Sequence, residues 1–261
     1  MENPPTSDDS LRRKIRDDSG PPGSPTPPDD RPRTDVPGRE DVLGTGEPRG
    51  PRETAPSTPE AKAALRARIR LARRRRSDSD RNEAAQHLAR TVMGIPQVRR
   101  AETVTCYVSF PTEPGTGPLR RALRQAGIRI LLPVTVPPGD LDWVMDPGPS
   151  SKGQDRGGKS PEGAGELLGR TAIARAHVLI VPALAVDVLG HRLGQGGGYY
   201  DRALPLADPD APVVALLHAD EFLRPAQEHG PGQGLVPTLP HDRTVDLVAV
   251  PDGVIRIERD R

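Results

Sequence analysis

Aromatic side chains are scarce: one tryptophan, three tyrosines and two phenylalanines in 261 residues, 2% of the chain. That is too few for the stacking platforms of single-stranded nucleic-acid binders. Cysteine is scarcer still. The single Cys106 can form neither an intrachain disulfide nor a thiolate zinc site, so a reducing compartment is expected. Neither charge is in excess, because 37 Lys and Arg face 36 Asp and Glu for a formal net charge of +1. No global basic field steers the chain to nucleic acid or an anionic membrane. No stretch approaches the ~20 apolar residues that cross a bilayer, and the first thirty residues lack the apolar core of a secretory signal. The expectation is a soluble, cytoplasmic protein without membrane or nucleic-acid partners.

Hydrophobic residues make up 34% of the chain, low for one folded throughout its length. Residues 1–59 hold no aromatic residue, 13 of the 32 prolines and only scattered aliphatics such as Leu11, Ile15 and Val42. Burial there cannot offset the ~1–2 kcal/mol per residue of backbone ordering entropy, so a disordered Pro- and charge-rich tail is expected. A single ordered domain should occupy residues 60–261.

That domain opens with strong helix formers, predicting a helix from about Glu60 to Arg76. A second helix is expected from about Asp80, with Glu83 completing a capping box, Ala84, Leu88 and Val92 on one face, and a stop at Gly94 and Pro96. Thr103–Val108, Ile128–Leu132, His177–Pro182, Val213–Leu217, Val245–Val250 and Val254–Ile257 read as strands, with a short helix over Pro118–Ala126. The run His177–Pro182 does not alternate, which marks a strand covered on both faces. Met145–Glu166, rich in Gly, Ser and charge, reads as a surface loop. Strand–helix–strand spacing implies parallel crossovers, and the fold expected is one three-layer α/β/α domain with a mostly parallel sheet.

The stretch richest in chemistry is Gly190–Arg202, GHRLGQGGGYYDR. Gly194, Gly196, Gly197 and Gly198 remove the β-carbons that hold a backbone away from a polyphosphate, and they permit dihedrals that aim successive amides at one anion. A helix starting at Tyr199 would add its N-terminal partial charge. The stretch matches neither the Walker consensus nor the dinucleotide fingerprint, so spacing alone leaves open a simple glycine turn. On the first helix Lys62, Arg66 and Arg73 fall on nearly one face. Read from spacing, that face is a solvated one, with an anchored phosphate-binding ridge as the alternative. Glu113, Asp201 and Asp242 are the candidate carboxylates; beside a polyphosphate such groups hold magnesium, which takes only one or two protein ligands. His241 is the one histidine beside a candidate carboxylate. There is no Ser-His-Asp order and no His-Glu-x-x-His.

Four segments in this order, Lys62-x-x-Leu65-Arg66, Glu113-x-x-Thr116, Arg192-Leu193-Gly194-x-Gly196-x-Gly198-Tyr199-Tyr200-Asp201 and Pro240-His241-Asp242, resemble the 5-formyltetrahydrofolate cyclo-ligase family. The resemblance covers roughly residues 60–257. It implies ATP-dependent cyclisation of 5-formyltetrahydrofolate to 5,10-methenyltetrahydrofolate, with release of ADP and phosphate. Lys62, Arg66, Arg192, Gly194, Gln195, Gly196, Gly197, Gly198, Tyr199 and Tyr200 are thereby implied to bind ATP. Val108, Glu113 and Trp143, with Gly198, Tyr199 and Tyr200, are implied to line the folate side. Arg192 and Tyr199 are the implied catalytic pair, and Asp201 and Asp242 the implied Mg2+ ligands of a monomeric enzyme. The chain departs from the family pattern at Leu239, Val250 and Pro251 and lacks a Glu-Pro pair before the buried strand. Those departures support a rival reading as a nucleotide-binding or regulatory protein with altered chemistry. The Arg73–Arg76 run supports, more weakly, a nucleic-acid-binding one.

Overall fold

A computed structural model describes residues 58–148, 165–225, 235–238 and 243–258. The expected tail, apart from its last two residues, and most of the expected loop lie outside the described residues. Helix α1 (Thr58–Arg74) begins two residues before the expected start, with Pro59 in its first turn, where no intrahelical N–H bond is lost. Helix α2 (Asp78–Met93) is capped by Ser77, whose hydroxyl accepts from the Asp80 amide while the Asp80 carboxylate accepts from the Ser77 amide. The capping box is thus Ser77/Asp80 instead of Asp80/Glu83, and the buried face carries Ala85, Leu88, Ala89 and Val92. A short helix α3 (Pro96–Arg100), not expected from the sequence, follows the Gly94 cap.

The strands then come in chain order: β1 (Thr103–Thr105), helix α4 (Gly117–Gln125), β2 (Arg129–Val136), β3 (Asp140–Met145), β4 (Val178–Pro182), β5 (Ala185–Asp187) and β6 (Arg192–Leu193). Helix α5 (Tyr199–Ala203) precedes β7 (Val213–Leu216), β8 (Phe222–Leu223), β9 (Leu247–Val250) and β10 (Gly253–Arg256). Seven of them form one sheet in the order β10-β9-β7-β4-β1-β2-β3. Its five inner strands run parallel, and β3 and β10 close the edges antiparallel. A small second sheet, β6-β5-β8, stands apart from it.

The central strands explain their own composition. Val178 and Ile180 of β4 pack in one core with Leu88 and Val92 of α2 and Leu119 and Leu123 of α4. Leu179 and Val181 point the other way, into a core with Tyr200 and Ala203 of α5 and Ile173. Both faces are covered, so every position is apolar. Helix α1 packs elsewhere: Ile69 meets Leu184, Ala185 and Leu193 of the small sheet and its approach. The chain leaves β1 for β2 on one side and later returns to β4 on the other. The crevice between the carboxyl ends of β1 and β4 is therefore the switch point where open α/β sheets bind ligands.

Candidate active site

A cavity of about 1380 Å³ opens at that switch point. Three walls meet there: α1 through Lys62, Arg66 and Arg70, the segment after β1 through Tyr107, Val108 and Glu113, and the glycine loop Gly194–Gly198 with Tyr199, Tyr200 and Asp201. Pro133, Thr135 and Leu141 of the β2–β3 hairpin complete it.

The segment after β1 leaves the ladder early, three residues before the expected strand end, because side chains take over its backbone groups. The Thr116 hydroxyl donates to the Tyr107 carbonyl (2.6 Å) and accepts from the Ser109 amide (3.2 Å). This turn brings Glu113, only 6% exposed, to the cavity. Its Oε2 accepts from the Phe110 amide (2.9 Å) and its Oε1 from Gln195 Nε2 (3.0 Å).

The glycine loop is held by α1. Arg66 Nε donates to the Gly194 carbonyl (2.9 Å), and Arg70 Nη2 donates to the Gln195 carbonyl (3.0 Å) and to its side-chain oxygen (2.9 Å). Gly196 and Gly198 have φ of 111° and 65°, a region in which a β-carbon is strained, so these two positions require glycine. The expected helix at Tyr199 is present but only five residues long, and Lys62, Arg66, Arg70 and Arg192 bring cationic side chains to the same cavity.

Arg192 enters from β6 and is nine-tenths buried. One guanidinium nitrogen lies 2.5 Å from Asp201 Oδ1, and the group stands over the Tyr200 ring at 5.6 Å. Burial pushes the Tyr200 hydroxyl well above the usual phenol range, and burial followed by the nearby Glu113 charge does the same to Tyr107. Both phenols therefore stay neutral, and neither hydroxyl has a hydrogen-bond partner among the described residues. Arg202 stacks on Tyr199 at 5.5 Å and donates to the Gly197 carbonyl (3.1 Å), to Asp140 (3.2 Å) and to the Gly139 carbonyl, joining the glycine loop to the hairpin tip.

Lys62, Arg66, Val108, Glu113, Arg192, Gly194–Gly198, Tyr199, Tyr200 and Asp201 are thus gathered around one cavity. Trp143 is not among them. It is fully buried in the core, where β3 packs under the residues after Gly165 and the Leu168 amide bonds its carbonyl at 2.8 Å. Asp242 and His241 lie outside the described residues. Arg73, expected on the face with Lys62 and Arg66, turns inward instead and pairs with Glu221 at 2.7 and 2.8 Å. Arg70, Tyr107 and Arg202 reach the cavity or its rim without having been singled out. Arg70 alone had a signal, lying one four-residue step beyond Arg66 on the same helix face. Among the described residues no three His, Cys, Asp or Glu side chains cluster as a metal site.

The chain matches the 5-formyltetrahydrofolate cyclo-ligase family over residues 58–251, a span that contains every wall of the cavity. It belongs to that family. The 5-formyltetrahydrofolate cyclo-ligase of Mycolicibacterium smegmatis is 33% identical over 201 residues, covering 74% of this chain and 95% of that protein. The Escherichia coli K12 cyclo-ligase is 37% identical over 138 residues, 52% and 75% of the respective chains. Two solved structures share the fold. The 5,10-methenyltetrahydrofolate synthetase of Aquifex aeolicus superposes with a TM-score of 0.58 at 21% identity, covering 77% of this chain and 94% of that one. That of Mycoplasma pneumoniae superposes at 0.53 and 18% identity, covering 73% and 98%.

As a cyclo-ligase family member the chain is a ligase, and two of its departures from the family pattern fall away from the cavity. Val250 is a buried core residue of β9, and the Pro251 carbonyl accepts from the Thr91 hydroxyl at 3.2 Å. Neither lines the cavity. No helix among the described residues is long and apolar enough to cross a membrane.

Proposed function

We propose that this cyclo-ligase uses ATP to convert 5-formyltetrahydrofolate to 5,10-methenyltetrahydrofolate, releasing ADP and phosphate, as a monomer in the cytoplasm. The observation that carries this reading is the placement of a cation-ringed glycine loop across one cavity from a buried carboxylate. Lys62, Arg66, Arg192 and the loop amides provide charge and donors for a triphosphate. Glu113 provides an acceptor for the N–H groups of a pterin, with Val108 beside it.

In this reaction the formyl oxygen attacks the γ-phosphorus and ADP leaves. N10 then attacks the activated formyl carbon, gives up its proton, and phosphate departs with the former formyl oxygen. No covalent enzyme intermediate is needed, so the residues act by orientation and by neutralising charge. Arg192 faces the charge that builds on the transferred phosphoryl group, and Tyr199, at the cavity rim, positions the reacting atoms. Magnesium, when bound, neutralises polyphosphate charge. Asp201 fits it, since this half-buried carboxylate lines the cavity beside the loop and magnesium needs only one or two protein carboxylates.

The test is the rise of methenyltetrahydrofolate absorbance in the near ultraviolet when purified protein meets ATP, magnesium and 5-formyltetrahydrofolate. Growth of that band only with ATP, and its loss in Asp201→Asn, is the expected result. Absence of the band in wild-type protein that still binds ATP by calorimetry would overturn the folate assignment. Lys62→Ala and Arg66→Ala should raise the KM for ATP more than that for the folate, and the opposite ranking would remove them from the phosphate site.

A further inference from the structure

We infer that the Gln195 side chain is a positioning residue that aims Glu113 and couples the nucleotide half of the cavity to the folate half. This rests on the reading of the two halves given above. Its amide uses both ends. Nε2 donates to Glu113 Oε1 at 3.0 Å, while Oε1 accepts from Arg70 Nη2 at 2.9 Å and more weakly from Nε at 3.3 Å. The Gln195 carbonyl is held by the same Arg70 at 3.0 Å. A chain of charge-assisted hydrogen bonds thus runs from α1 through the glycine loop to the segment after β1.

The other Glu113 oxygen is fixed within its own segment by the Phe110 amide at 2.9 Å. Gln195 is therefore the group that completes the carboxylate's orientation from the opposite wall. Each carboxylate oxygen keeps acceptor capacity beyond its one bond, so a folate N–H can be received without displacing Gln195. Gln195 itself is exposed, yet both ends of its amide meet a charged partner, Arg70 at the surface and the buried Glu113 on the cavity side.

Coupling follows from the loop's composition. A stretch with four glycines in five residues loses much backbone freedom when it is ordered. A ligand on Glu113 steadies the Gln195 bond and with it the loop. A triphosphate on the loop steadies Gln195 and with it Glu113. Whichever ligand binds first lowers the ordering entropy lost by the second, and by linkage the enhancement is equal in both directions.

The experiment is calorimetric titration with 5-formyltetrahydrofolate, alone and with saturating magnesium and the non-hydrolysable β,γ-imido analogue of ATP. Wild-type affinity should rise roughly fivefold or more with the analogue. In Gln195→Met, which keeps the loop backbone and removes the amide, the two affinities should become equal while the melting temperature is unchanged. Arg70→Met, which releases the other end of the amide, should lower the enhancement in part. An undiminished enhancement in Gln195→Met overturns the inference, as does the lack of any enhancement in the wild type, and both leave the proposed function standing. Wild-type protein that binds neither ligand overturns the proposed function and the coupling together.

Discussion

Two arginine–carboxylate pairs stand at the cavity and differ in access. Arg73 and Glu221 are 1% and 3% exposed and share two parallel hydrogen bonds, and Arg73 donates a third to the Ala183 carbonyl at 2.7 Å. Arg192 and Asp201 are 5% and 31% exposed and share one contact. In the closed pair burial pulls the Arg73 guanidinium down, but the hydrogen bond and charge of Glu221 outweigh it and leave it above its ordinary value. Burial also pushes Glu221 upward against the pull of Arg73, and the two-bond geometry holds the pair ionised. The closed pair fastens α1 to the turn after β7. The open pair leaves a carboxylate edge and a guanidinium facing the space where ligands bind. The same two residue types therefore serve stability in one place and chemistry in the other, and solvent access decides which.

Breaking the closed pair should have the largest effect. Arg73→Met strands a buried carboxylate and should destabilise the fold by about 3–5 kcal/mol, read from the midpoint of urea denaturation. Replacing Glu221 with Met as well should restore much of that loss, because two apolar side chains leave no unpaired charge. Arg192→Ala should do the reverse. Its stability should fall by only about 1 kcal/mol, since water can solvate the exposed side of Asp201. Its kcat/KM should drop by roughly 10²–10³-fold, the scale for losing one fixed group that meets developing charge.

His218 tests the surroundings of the closed pair by pH. Burial, then the charges of Arg76 and Arg73, hold its pKa down at about 4 against an ordinary 6.5. The folded state keeps His218 neutral where the unfolded chain already binds a proton. Stability is thus complete above about pH 6.5 and declines as the pH falls towards 4, by roughly 3 kcal/mol at most. Denaturation midpoints between pH 7 and 4 should show this slope in the wild type and a flatter one in His218→Asn. Asp146 moves the other way: although burial alone would raise it, Arg120 and Arg124 hold it below its ordinary value. Its contribution is lost only at still lower pH, so the two windows separate.

The same distinction of access explains what the sequence could reveal. β4 was legible because burial on both faces forces an unbroken apolar run. β2 was expected to stop at Leu132, yet it continues through Pro133 to Val136. Leu131 turns its carbonyl to the β1 side, where it accepts from Cys106, and Pro133 two residues on faces the same way after β1 has ended. Its missing N–H therefore breaks no ladder bond. β3 escaped notice with it. The small sheet is built from strands of two or three residues, shorter than any periodicity can register. In the site, the glycine loop and Glu113 were legible from residue type and order. Helix phase put Arg73 beside Arg66, but phase cannot say which cation is met by a buried carboxylate from a turn some 150 residues later in the chain. Nor could it show Arg70 and Gln195 meeting across the cavity.

Asp220 provides the smallest expected effect and the sharpest control. It precedes Glu221 in the chain and also pairs with an arginine just past α1, Arg76, yet it is 59% exposed and its partner 25%. Arg76 makes one contact with Asp220 where Arg73 makes two with Glu221, so a difference between the two carboxylates in mutational cost reports burial together with the second hydrogen bond. Asp220→Asn should change stability by less than about 1 kcal/mol, and by less again at high salt, where charges in water are screened. Glu221→Gln, one residue away, should cost several times as much at any ionic strength, because it leaves the buried Arg73 without its counter-charge. Equal losses in the two variants, measured by urea denaturation at low and high salt, would mean that position on the turn, and not access to water, separates the closed pair from the open ones.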